Sequence, residues 1–321
     1  MTINQESNNV AQKHKHTVGQ DPDRIEDILQ QNRRLATSFM LNKCEKEAAR
    51  NWDVFYKNHH DKFFKNKNWT EREFKELNGK EAAATEKSTQ GSDSKAEDAS
   101  ASLDDPMIGG EMVKGNNTVL LEVGCGPGAM VYPVLARNET TKAHCCDFSS
   151  RAVDILKSNP LYNEERVNAF IFDLVKEGET LANKVKAHPF GQPTVASLIF
   201  VLSAIPPKHH RAVLANLVEC LPIGGTLLFR DFSHGDLAQL RFHQKASAAW
   251  CEPALLSESH DFYRRGDNTF TYFFNEEEMK QHAEALQLQG DVEIKQIHNQ
   301  NRRTGVQLHR RFIQARWKKV C

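Results

Sequence analysis

Three things are scarce in this sequence. No apolar run approaches the roughly 20 residues that cross a bilayer, so no membrane-spanning helix is expected. The 7 cysteines include the adjacent pair Cys145 and Cys146 but no CxxC. An odd number without framework spacing argues against a disulfide scaffold and for free thiols in a reducing compartment. Net charge is also absent: Lys+Arg and Asp+Glu balance at 42 each, so only the distribution of charge can speak about partners. The opening stretch "MTINQESNNVAQKHKHTVGQ" carries neither an apolar h-region nor an Arg-rich amphipathic pattern, so neither a secretory signal nor a transit peptide is expected. A cytoplasmic location with access to the nucleus is the expectation.

What is present divides the chain. Residues 1–20 are polar and read as a disordered tail. Residues 21–80 hold helix formers and aromatics, enough to dock as an N-terminal helical lid. Thr70 followed by Glu73 suggests a capping box opening a short helix at "TEREFKEL". Residues 81–112 are rich in Ala, Ser, Asp, Glu and Gly, lack aromatics, and read as a flexible linker. From 113 to 321 the pattern is α/β. "TVLLEV", "KAHCCDF", "RVNAFIFD", "TVASLIFVLSAI" and "GGTLLFRDF" read as strands alternating with helices, and "VEIKQIHNQ" and "RRFIQARWKK" as a closing antiparallel pair. That alternation predicts a Rossmann-like, mostly parallel seven-stranded sheet with helices on both faces. Pro133 falls in the first turn of the helix after the first strand, and Ser149 caps the next.

The informative stretch is "LLEVGCGPGAM", which places Gly124, Gly126 and Gly128 straight after the first strand. In an open parallel sheet ligands bind beyond the carboxyl ends of the strands, and the first strand-to-helix turn is the usual place. Glycines let that backbone turn tightly and approach a ligand. A dinucleotide loop needs a third glycine three residues on; here the spacing is G-x-G-x-G, with Ala129 at that position, and Ala can stand in. Glu122 helps: a carboxylate repels a pyrophosphate but accepts hydrogen bonds from an ammonium. The loop therefore favours S-adenosylmethionine over NAD. Asp147 ends the second strand, where a carboxylate takes both ribose hydroxyls, and Phe148 follows to lie against adenine. Asp173 ends the third strand and can accept from the adenine amine. A lone acid there also reads as a helix cap or a solvated turn residue.

Several stretches resemble the tRNA 3-methylcytidine methyltransferase family of class I methyltransferases: "NWDVFYKNHHDKFFKNKNWTEREF", "LLEVGCGPG", "CCDFSSRAVDILKSNPLY", "LIFVLSAIPP", "LLFRDF" and "FYRRGDNTFTYFF". The resemblance spans most of residues 50–320 outside the linker. It implies an S-adenosylmethionine-dependent enzyme acting on cytidine in the tRNA anticodon loop, helped by a tRNA-presenting partner such as seryl-tRNA synthetase. It implies that Trp69, Arg72 and Phe74 lie close to the cofactor, joined by Leu174 and Phe200. Two departures stand out. The family pattern carries glycine, threonine and arginine where this chain has Asn268, Thr269 and Phe270, and tyrosine where it has Phe232.

The residues suit that chemistry. Cytosine N3 has a free lone pair once unpaired, so no general base is needed; the base must be extruded, stacked and held in line. Asp231, ending the fifth strand, can accept from the exocyclic amine. Arg230 can contact the cytosine carbonyl or a phosphate, unless the two form a structural ion pair, and Phe232 can stack. Lys62 and Lys65 in the lid, Arg264, Arg265 and Tyr272 in "FYRRGDNTFTYFF", and Arg310 and Arg311 in an acid-free basic run over 302–319 are candidate RNA contacts. Ordinary solvated basic faces are the bland alternative. His209 and His210 have no partner at zinc spacing, so no metal is expected. A methyltransferase of a protein or small molecule, and a catalytically weak RNA-binding subunit, stay open.

Overall fold

The computed structural model describes residues 22–31, 33–78, 118–176, 180–244, 253–300 and 307–321. The expected tail at 1–20, the linker at 81–112, Arg302 and Arg303 lie outside them. Five parallel strands form the body: β1 (Val119–Val123), β2 (Lys142–Asp147), β3 (Val167–Ile171), β4 (Val195–Ile199) and β5 (Thr226–Phe232). The long strand β10 (Gln307–Lys319) runs antiparallel to β5, giving the order β3-β2-β1-β4-β5-β10-β8 with β9 also paired to β10. The sheet thus has eight strands, one more than expected. The extra one comes from a broken edge. The short β8 (Leu288–Gln289) and β9 (Val292–Gln300) both pair with β10, on either side of Gly290. A Cβ at Gly290 would stand 1.9 Å from the Arg316 carbonyl oxygen, so the two backbones touch there and the ladder is interrupted.

The five parallel strands are mostly apolar because both faces are covered, and Glu122, Asp147, Arg230 and Asp231 lie toward the carboxyl ends. Leu121, Val123, Cys146, Leu198, Leu227 and Phe229 face one core, packed by α7 (Leu181–Lys186), α8 (His210–Cys220) and α10 (Glu276–Ala285). Leu120, Cys145, Val195, Ile199 and Leu228 face the other, covered by α5 (Val131–Arg137) and α6 (Ser150–Lys157). Each fully buried Leu, Val or Phe contributes roughly 1.5–3 kcal/mol by leaving water. Pro133 lies in the first turn of α5, and the Ser149 hydroxyl caps α6 by accepting from the Ala152 amide, both as the sequence indicates.

The N-terminal segment docks as four helices: α1 (Pro22–Leu29), α2 (Ser38–Lys46), α3 (Ala48–His59) and α4 (Thr70–Glu73). Ile25, Ile28 and Leu29 of α1 pack on Leu240 of α9 (Leu237–Gln244), and Phe74 and Leu77 enter the α5 side of the core. The Asn138 amide donates to the Leu77 carbonyl at 2.8 Å, and Arg137 pairs with Glu71. Two expectations fail. The capping box does not form: Thr70 is the first helical residue, its hydroxyl donates back to the Lys67 carbonyl, and Glu73 faces Lys295 instead. The fourth strand stops at Ile199, because Phe200 takes φ 60° and "VLSAI" folds as a short turn of 3-10 helix, Leu202–Ala204. A small antiparallel pair, β6 (Phe262–Arg264) and β7 (Phe270–Tyr272), lies apart from the main sheet. Among the described residues no helix is long and apolar enough to cross a membrane.

Candidate cofactor crevice and target pocket

The first turn has the shape its glycines suggest. Gly124, Gly126 and Gly128 take φ of 62°, 53° and 89°. A Cβ at Gly124 would meet Val201 at 2.4 Å, and one at Gly126 would meet the Tyr56 hydroxyl at 2.9 Å. Side chains are excluded both by the backbone and by what lies over it. Asp147, buried at the end of β2, accepts from the Gly126 amide and the Ser149 amide, each at 3.0 Å. It therefore fixes the loop, and it stands at the carboxyl end of its strand, the edge at which such sheets bind ligands. Burial raises its pKa to about 6 despite those bonds.

The lid closes over this turn. Asp53 on α3 accepts from the Ser149 hydroxyl at 2.6 Å, Tyr56 one helical turn on reaches Gly126, and the Lys67 amide donates to the Ala129 carbonyl at 2.7 Å. Asp53, Tyr56 and Lys67 are not among the candidates that the sequence singles out. The missed signal is helical spacing: Asp53 and Tyr56 are i and i+3 and share one face.

Whether these residues fit S-adenosylmethionine turns on Glu122. Its Oε2 is buried without a hydrogen-bond partner, and burial pushes its pKa up to about 8, against the pull of Lys67. An orphaned acceptor beside a glycine cradle fits a ligand that brings an ammonium group. Glu122 would hold the amino-acid end, the glycine loop would pass under it, and Asp147 would hold the ribose. A pH dependence follows. Binding an ammonium requires ionised Glu122, so cofactor affinity should rise as pH climbs from about 6.5 toward 8, and turn over at higher pH as the ligand's own ammonium loses its proton. The apoprotein should do the opposite. Its folded state keeps a proton that the unfolded chain has lost, so this group's contribution to stability is present below pH 4.5 and is lost as pH rises toward 8. Calorimetry with S-adenosylhomocysteine from pH 6 to 9 checks this. Glu122→Gln should flatten the profile, and a flat wild-type profile would contradict it.

Asp173 sits past the end of β3, half-buried; it accepts from the Val175 amide at 3.0 Å and pairs with Lys176 at 3.4 Å. The turn-residue alternative thus describes its present contacts. Leu174 is buried in the same core as Leu181 and Ala182, and Phe148 is half-buried. Phe200 lies where lid and sheet meet, its ring 6.5 Å from Trp69, 5.2 Å from Phe232 and 5.5 Å from Phe312. Phe74 is fully buried beneath Trp69, and Arg72 is exposed.

The end of β5 forms a second centre. Arg230 and Asp231 point to opposite faces of the strand, so the ion pair between them does not form. The Arg230 guanidinium lies between Trp69 (4.2 Å) and Phe312 (5.0 Å) and donates to Gln314 at 2.9 Å. Burial lowers its pKa to about 10 and leaves it charged at neutral pH. Asp231 is fully buried and accepts from the Ser203 amide and from the Phe232 amide, both at 2.9 Å. It binds β5 to the turn that replaced the end of the fourth strand. Its pKa is raised to about 6 by burial.

Beside it a cavity of about 290 Å³ is lined by Phe232, Ala238, Arg241, Phe242, Arg265, Thr271, Phe273 and Arg310. The guanidiniums of Arg265 and Arg310 lie 5.8 and 5.7 Å from the Phe232 ring. An aromatic wall between two cations suits a planar base and its phosphates.

Other candidates go elsewhere. Tyr272 does not line the cavity: strand alternation turns it to the opposite face from Phe273, against His210 and Phe274, with its hydroxyl between Asp261 and Glu278. Arg264 reaches Asn268 at 2.8 Å, and Lys62 and Lys65 are exposed. Among its described residues, the acid-free run is largely tied down. Arg310 pairs with Asp236, Arg311 donates to the His234 carbonyl, Arg316 pairs with Glu76, and Lys319 donates to the Val218 and Leu221 carbonyls. Only Arg310 of these borders the cavity. The departures also acquire meaning. Asn268 holds φ 63°, a position glycine serves and asparagine tolerates. Phe270 is buried 5.0 Å from Phe262, a core contact in place of an arginine.

The geometry is that of a class I methyltransferase, and the comparisons agree. A family profile described as "Methyltransferase domain" matches residues 121–227. The chain is 34% identical to mouse "tRNA N(3)-cytidine methyltransferase METTL6", over 92% of this chain and 89% of that protein. It is 31% identical to fission yeast "tRNA N(3)-methylcytidine methyltransferase trm141", over 88% and 97%. Against zebrafish "tRNA N(3)-cytidine methyltransferase METTL2" it is 34% identical, over 91% and 79%. Likeness of this extent runs through the lid, the glycine turn and the β5 end alike, and on it the chain belongs to the tRNA N(3)-cytidine methyltransferase family.

Proposed function

We propose that this protein methylates N3 of cytidine in tRNA, in the anticodon loop, using S-adenosylmethionine. The observation that carries the reading is the cavity at the end of β5, where Phe232 stands between Arg265 and Arg310 beside the glycine-turn crevice. The cofactor, when bound, supplies an electrophilic methyl group. The chain's own residues bind, orient and exclude water. Trp69, Phe200 and Phe232 form a row of rings along which an unstacked base can be received into the cavity. Asp231 does not act as a general base, since N3 carries no proton at neutral pH; its spare lone pairs accept from the exocyclic amine and set the ring's direction. Arg265, which faces Asp231 and Phe232, supplies positive charge for the phosphate or the cytosine carbonyl.

The cavity is small and open, and among the described residues most basic groups of the C-terminal strand are engaged within the protein. Both features favour a reading in which a tRNA-presenting partner, such as seryl-tRNA synthetase, positions the RNA, in the cytoplasm or nucleus. The test is nucleoside mass spectrometry of purified tRNA from cells lacking the protein. A loss of 3-methylcytidine restored by the wild-type gene is expected. Unchanged 3-methylcytidine in every tRNA fraction would overturn the substrate assignment.

A further inference from the structure

On the far side of the sheet from the glycine turn's α5 helix, a cluster of metal-type donors serves no part of the methyltransferase site. His210 opens α8, and Glu278 and His282 lie four residues apart on α10. One ligand atom from each of the three falls within 4.8 Å of the others. His210 is fully buried, and its Nε2 lies 2.8 Å from the Ile205 carbonyl oxygen. Nε2 must carry the proton to make that bond, so Nδ1 is left with a lone pair. That Nδ1 is buried without a hydrogen-bond partner, as is Nδ1 of His282.

The polar balance points the same way. The Tyr272 hydroxyl lies 3.1 Å from Glu278 Oε2 and 3.2 Å from Asp261 Oδ2. One hydroxyl proton satisfies one carboxylate, so a second carboxylate faces an oxygen lone pair. Acceptors outnumber donors, and a cation corrects the excess.

We propose that His210, Glu278 and His282 bind a divalent transition-metal ion, with Zn²⁺ the best fit. Two imidazole nitrogens and one carboxylate form a donor set of borderline softness, which suits Zn²⁺ and disfavours Mg²⁺ and Ca²⁺. The Ile205 carbonyl is the outer partner that fixes the His210 ring, and Tyr272 does the same for Glu278. Glu278 and His282 keep side-chain exposures of 22% and 12%, so the ion has a route in and a water can complete the coordination. The ion would pin α10 to α8. It would also brace the Leu202–Ala204 turn, whose Ser203 amide holds Asp231 and which leads directly to Ile205.

The experiment is a Zn²⁺ titration of tag-free, chelator-treated full-length protein, read by competition with a chromophoric chelator and by thermal unfolding. One tight equivalent and a rise in Tm are expected, with no rise on adding Mg²⁺ or Ca²⁺. His282→Gln and Glu278→Gln should each weaken Zn²⁺ by more than the roughly 10–100-fold that losing an outer partner costs. Both side chains lie on a partly exposed helix face, and far-UV circular dichroism checks that the variants fold. Failure of folded wild-type protein to bind one equivalent would overturn the proposal without reference to any variant. So would undiminished binding by both variants, which would place the ion elsewhere among the 14 histidines.

Discussion

Asp147→Ala is expected to abolish cofactor binding in a protein that still folds. The carboxylate has two tasks. It accepts from the amides of Gly126 and Ser149, and so sets the curvature of the glycine turn. A ribose diol bound at this strand end would donate two charge-assisted hydrogen bonds to it, worth about 1.5–3 kcal/mol each. Losing both removes about two to four orders of magnitude of affinity. Alanine also strands two amides, at about 1–3 kcal/mol each where buried, so a lower Tm should accompany the loss. Asp147→Asn separates the two tasks. It keeps one acceptor oxygen, so one of the two amides stays paired while the other meets the NH2 group; Tm should fall less than for alanine, and the loss of charge and of half the acceptors should still leave binding poor. Calorimetry with S-adenosylhomocysteine measures both variants. Affinity within threefold of wild type for the alanine variant would mean that the ribose is held elsewhere.

The parts of this protein that could be read from sequence are those where local pattern and tertiary environment agree. "TVLLEVGCGPG" encodes strand and turn together: an apolar run buried on both faces, then glycines at positions of positive φ. Asp147 follows from chain geometry alone, since strand ends gather at one edge of a parallel sheet. What could not be read depends on contacts between distant segments. "TVASLIFVLSAI" is apolar enough for a long strand, but Phe200 turns left-handed to meet Trp69 and Phe232, residues far away in sequence. Tyr272 and Phe273 are neighbours, and only the pairing register of β6 with β7 decides which faces the cavity. Lys67 looks like one more lid lysine until its amide is found on the Ala129 carbonyl. His210 shows no metal spacing because its partners lie on another helix.

The second large effect should come from the end of β5, and it should differ in kind. Asp231→Asn is expected to lower methyl transfer at least about 100-fold, the order seen when one preorganised polar group of a reaction centre is removed, while leaving cofactor affinity within about twofold. The expectation rests on where Asp231 stands. It touches Ser203 and Phe232 rather than the glycine turn, and it lies beside Arg265, which borders the cavity. Asparagine replaces one acceptor oxygen by an NH2 donor. If that donor faces the Ser203 amide, two donors oppose each other and the Leu202–Ala204 turn shifts; if it takes the other position, it opposes the Phe232 amide and an exocyclic amine brought to that side. Either way the base loses its orientation while the crevice keeps Glu122, Asp147 and the turn between them. The measurement pairs single-turnover methylation of tRNA with calorimetry on the same preparation. Equal losses of cofactor binding in the Asp147 and Asp231 variants would show that crevice and cavity are one energetic unit, and the division of roles between the two carboxylates would fall.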